Sequence, residues 1–137
     1  MSEDLDLDSL VQNTSADMVV KHPLTGAPTV ARFTLAGPEH PARKSAVFAR
    51  MRQRRAELQR TGTLTVPDPE QDEEDETALL AACTLGWRGL AAGGQPLEFS
   101  AAAAVKLYAD PKFRWLRDQV KAALDQRELF IAGSATN

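Results

Sequence analysis

The fourteen residues GWRGLAAGGQPLEF, positions 86–99, decide how the second half of this chain is read. They hold four of the eight glycines, one of the two tryptophans and a proline, a mixture that cannot stay in regular helix for long. Helix-period patterns flank the stretch, and Trp87 and Phe99 stand at its ends as aromatic pins for a glycine-rich loop. The expectation is a helical C-terminal half, residues 77–131, arranged about this loop. Nothing in the stretch forms a catalytic pattern, which points to assembly and interaction.

Immediately before the loop, Leu79, Cys83 and Trp87 recur every fourth residue with Leu80 alongside, and Thr77 with the acids before it suits a helix start. Cys83 then reads as a small core residue, because no histidine lies near it in sequence to activate a thiolate. After the loop, Ser100 is an N-cap for an alanine-rich helix on which Ala101, Ala104, Val105 and Tyr108 share a face. Asp110-Pro111 is a second start signal, and the helix it opens is expected to run to Phe130. Phe113, Leu116, Val120, Ala123 and Leu124 form its apolar stripe, with Trp115 beside them. Residues 132–137 read as a flexible tail.

Residues 63–76, with Pro67, Pro69 and a run of acids, read as a linker between this half and the N-terminal one. N-terminal to it, residues 42–60 are expected to form a helix ended by Gly62. Val47, Met51 and Leu58 make its stripe, widened by Phe48, and the rest is basic: Arg43, Lys44, Arg50, Arg52, Arg54, Arg55 and Arg60 against Glu57. Such a helix is a nucleic-acid candidate. The seven acids Asp68, Glu70, Asp72, Glu73, Glu74, Asp75 and Glu76 offer the competing explanation, that the basic face is neutralised in cis or by a neighbouring copy. Further back, Ala31, Phe33 and Leu35 alternate with Arg32 and Thr34, and Met18-Val19-Val20 precedes a turn built from His22-Pro23-Leu24-Thr25-Gly26. This is a β-hairpin, which must lie on a helix or pair its edge to be stable. Residues 1–16 are acidic, with Leu5, Leu7, Leu10 and Val11 offering a weak helical stripe, and read as a flexible end, with a short segment that folds against a partner as the alternative.

The fold class expected is therefore α+β: an N-terminal hairpin followed by about four helices. The chain has 137 residues, 43% hydrophobic but only 6% aromatic, so the core is expected to be small. One cysteine excludes an internal disulfide, and no spacing suits a metal, a phosphate loop or a dinucleotide, so no cofactor is expected. There is no apolar run of membrane-spanning length and no leader-like N-terminus, which points to the cytoplasm.

Several segments in order resemble one family. His22-Pro23-Leu24-Thr25-Gly26, the alternating strand and the basic helix resemble the N-terminal half of small tail assembly chaperones of long-tailed bacteriophages. Gly86-Trp87-Arg88-Gly89-Leu90, Gly94-Gln95-Pro96-Leu97, Phe99-Ser100, Leu107-Tyr108, Trp115-Leu116-Arg117-Asp118-Gln119-Val120 and Leu129-Phe130-Ile131 resemble the C-terminal half. The resemblance implies a non-enzymatic protein of the host cytoplasm. It would bind the tape measure protein, keep it soluble, help recruit tail tube protein, and be missing from the mature virion. Many members are also made in a longer, frameshifted form. Repeated copies along one tape measure, with self-association, would give avidity. Trp87, Phe99, Trp115, Arg50, Arg54 and Arg55 are the candidate partner-binding residues. The rival expectations are a nucleic-acid-binding regulator using residues 43–60, and a structural tail or connector protein retained in the virion.

Overall fold

β2, residues Pro28–Ala36, runs through the middle of a three-stranded antiparallel sheet ordered β1-β2-β3 in the computed structural model, which describes residues 4–63, 66 and 68–131. Its alternation does what period two requires: Ala31, Phe33 and Leu35 are buried, while Arg32 and Thr34 between them are half-buried on the other face. β1, Ser15–Lys21, is its hairpin partner, with Met18 opposite Phe33 and Ala16 opposite Leu35.

The third strand, β3, is Thr84–Arg88, which sequence reading places at the end of a helix and the start of a loop. Trp87 lies opposite Phe33, Gly86 opposite Thr34 and Thr84 opposite Leu35. Residues 77–131 are thus not wholly helical, and the hairpin gains its second partner within the chain. Gly89 closes β3 with φ +79°, and a Cβ there would come within 2.8 Å of the Val30 carbonyl oxygen. Only glycine lets the chain leave the sheet that close to β2. A small ribbon follows, β4 at Ala91–Ala92 and β5 at Gln95–Pro96.

α1 spans Pro41–Thr61. The His40 side chain accepts a hydrogen bond from the Ala42 N–H, Pro41 sits at the first helical position, and Gly62 closes the helix in the left-handed region. α2 spans Pro69–Ala82 and corrects the expected linker over residues 63–76: most of its acids are helical. Asp68-Pro69 starts this helix as Asp110-Pro111 starts the last turn-and-helix unit. Residues 64, 65 and 67 lie outside the described residues.

α3, Ala101–Ala109, is capped by the Ser100 hydroxyl and buries Ala104 and Tyr108. A 3-10 turn over Pro111–Phe113 leads into α4, Arg114–Asp125. α4 stops before the expected end at Phe130, and a separate 3-10 turn over Arg127–Phe130 swings Phe130 into the core. The expected tail, residues 132–137, lies outside the described residues.

One core cluster joins Met18, Phe33 and Leu35 of the sheet to Leu80, Tyr108, Leu116, Val120 and Phe130. Each fully buried large apolar side chain contributes roughly 1.5–3 kcal/mol. The N-terminal end is tied in from Gln12 onward: Gln12 bridges Ile131, and the Asn13 N–H donates to the Phe130 carbonyl at 2.6 Å. The expected loose end at residues 1–16 is therefore corrected over its last few residues. Before them, a 3-10 turn over Leu7–Ser9 is exposed, and residues 1–3 lie outside the described set. Among the described residues no helix is long and apolar enough to cross a membrane.

Candidate partner-binding cleft

The six candidate residues fall in four places. Trp87 and Phe99 are together: the Trp87 ring is 5.4 Å from Phe33 and 4.9 Å, edge-on, from Phe99. The indole N–H donates to the Leu97 carbonyl at 2.9 Å. Both side chains pack on the core, so they hold residues 86–99 against the sheet. Arg50 and Arg54 lie elsewhere, along the seam between α1 and α2. There Arg50, Gln53, Arg54 and Glu57 face Asp68, Gln71, Asp72 and Asp75, at helical spacings on both helices. Arg50 pairs with Asp72 at 3.3 Å. Arg55 is exposed on α1 outside that seam.

Trp115 stands apart from both groups, in the wall of an open cleft of about 410 Å³. The sheet supplies Val20 and Ala31, the loop after β3 supplies Leu90 and Leu97, and α3 supplies Leu107. Phe113, Trp115 and Leu116 complete the wall, with Pro23, His22 and Thr29 from the hairpin turn. Two polar groups at this rim have internal partners. The Thr29 hydroxyl donates to the Val20 carbonyl at 2.7 Å, and His22 Nδ1 accepts from the Leu24 N–H at 3.2 Å. What is left facing the cleft is apolar, and its size suits a few side chains of a partner.

The cleft wall is set by a polar knot that sequence reading missed. Arg117 of α4 is 2% exposed. It donates to the Thr77 hydroxyl at 2.7 Å and the Tyr108 carbonyl at 3.0 Å, and lies 3.5 Å from a Glu76 carboxylate oxygen. It thereby locks α2, the end of α3 and α4 together just behind Leu116. Its Nε–H has no hydrogen-bond partner among the described residues. Burial pushes the Glu76 carboxyl up, but the hydrogen bonds and charges of Lys121 and Arg117 outweigh that and hold it below its usual value. Beside the knot, the Tyr108 hydroxyl meets the Thr84 hydroxyl at 2.7 Å, and burial raises the phenol's pKa.

Compared with protein-family models, with curated proteins and with solved structures, the chain matches none. The functional reading therefore rests on the residues themselves. Cys83 is 2% exposed within the core, and burial raises its thiol pKa against the opposing charge of Arg43. That favours the protonated thiol, which is a poor nucleophile. Arg117 carried one legible signal: it lies on the same helical stripe as Phe113, Leu116, Val120 and Leu124, where a charge is out of place.

Proposed function

We propose that this protein is a tail assembly chaperone of a long-tailed phage, acting without catalysis in the host cytoplasm. In this reading it holds the tape measure protein soluble and brings tail tube subunits to it. The observation that supports the proposal most directly is the open apolar cleft walled by Leu107, Phe113 and Trp115. A tape measure protein is long and helical and carries apolar stripes until the tube encloses it. A preformed apolar groove that takes a few side chains at a time is suited to such repeated, similar sites. The order of segments resembling such chaperones supports the same reading.

The test is co-expression with the long, helix-rich tape measure protein. The natural chain should raise its solubility and co-purify with it. Trp115→Ala and Leu107→Ala, at side chains that also pack on the core, should weaken co-purification by more than their loss of thermal stability accounts for. Failure of the natural chain to bind removes the proposal. Micromolar binding of duplex DNA in physiological salt, falling steeply as salt rises, would favour the basic helix as a nucleic-acid site instead. Abundant chain in purified virions would point to a structural tail protein.

A further inference from the structure

α1 is 21 residues long and buries none of them. Its outer stretch is bare: every residue from Met51 to Thr61 is exposed. Phe48, Met51 and Leu58 present 49%, 59% and 37% of their surface to solvent. They lie off the seam that faces α2, and Arg52 and Arg55 stand among them. A helix face of this kind fits a segment with apolar side chains spaced by carboxylates.

The same chain carries such a segment. Leu5 and Leu7 are 70% and 72% exposed, Leu10 and Val11 about as bare as Phe48 and Met51, and Asp6 and Asp8 alternate with them. We propose that residues 5–11 of one copy dock on the outer face of α1 of a second copy. Leucines would cover the Met51 stripe, and the aspartates would meet Arg52 and Arg55. The segment does not lie on its own α1, as the exposure of both partners shows. This self-association holds whether or not the protein is a tail chaperone.

The experiment is sedimentation equilibrium of the full chain, natural and charge-reversed. The natural chain should show a concentration-dependent mass above 14.9 kDa. Arg52→Glu/Arg55→Glu and Asp6→Lys/Asp8→Lys should each weaken association at least about tenfold, on exposed positions away from the core. An equimolar mixture of the two should recover it, because each copy then meets its complement. A natural chain that stays monomeric, or a mixture that stays as weak as its components, overturns the proposal. A Leu7→Cys/Met51→Cys double variant gives a second measure. Oxidation to a disulfide-linked dimer supports exchange between copies. Oxidation only within one chain, or no cross-link, overturns it.

Discussion

In the body of the molecule, Phe33, Leu35, Ala104, Val120 and Phe130 are completely shielded from solvent. In the arm formed by α1 and the first half of α2, no residue of α1 is buried and the seam is lined by Arg50, Gln53, Arg54 and their acidic counterparts. Apolar burial is short-ranged and fixes one packing, so the body specifies a shape. Exposed ion pairs contribute roughly 0–1 kcal/mol each and tolerate sliding, so the arm keeps an apolar stripe uncommitted. The difference assigns stability to the sheet with α3 and α4, and leaves the apolar stripe of the arm exposed.

The comparison can be broken at its strongest point first. Phe33→Ala empties the centre of the body and should cost about 3–5 kcal/mol in urea unfolding, a large share of the roughly 5–15 kcal/mol that holds such a domain folded. Arg117→Met leaves Glu76 with Lys121 alone and strands the Thr77 hydroxyl and Tyr108 carbonyl. It should cost about 2–3 kcal/mol. The same knot has a pH signature. The Glu76 carboxyl is held below its usual value of about 4.5, so its stabilisation is complete above that pH. It is lost as pH falls through the lower, folded-state value. Glu76→Gln should lower stability at neutral pH and flatten the acid limb of a melting-temperature series.

Gly89→Ala should cost about 1–3 kcal/mol, by forcing an unfavourable φ and a clash with the Val30 carbonyl. A stability within 0.5 kcal/mol of the natural chain would mean the β3 exit is looser than described. The smallest effect belongs to the arm. Arg50→Ala should shift global unfolding by about 0–1 kcal/mol, yet speed amide hydrogen exchange along α1 beyond Arg50. A global loss as large as that of Phe33→Ala would erase the distinction between arm and body.

Residues that carry local chemistry were legible before any coordinates. The Phe33 alternation marks a strand, Gly62 ends α1, and Ser100 caps α3. β3 was not legible, because Thr84–Arg88 follows α2 after a single residue, contains a glycine, and shares the four-residue spacing of Leu79 and Cys83. Its identity comes from pairing with residues about fifty positions earlier, which no local pattern carries. The acidic helix was hidden for a related reason. Like charges argue against a helix in isolation, and the arginines of α1 that offset them belong to another element. Of the candidate residues, Trp115 could be singled out because the inward stripe was already full without it. The cleft around it needed the turn after β3, and so depended on the strand that was misread.

One further consequence concerns synthesis. β1 is an edge strand, and its Lys21 N–H and C=O are both taken by the side-chain amide of Gln119, at 3.0 and 2.8 Å. The Asn13 N–H donates to the Phe130 backbone carbonyl. A ribosome delivers β1 long before it delivers either partner. Until residues 119 and 130 have been made, the first strand therefore has an unmasked edge, and the socket that Phe130 fills stands empty. The nascent chain is then open to pairing with its neighbours on a polysome, so the yield of folded protein should depend on how quickly elongation passes residue 131.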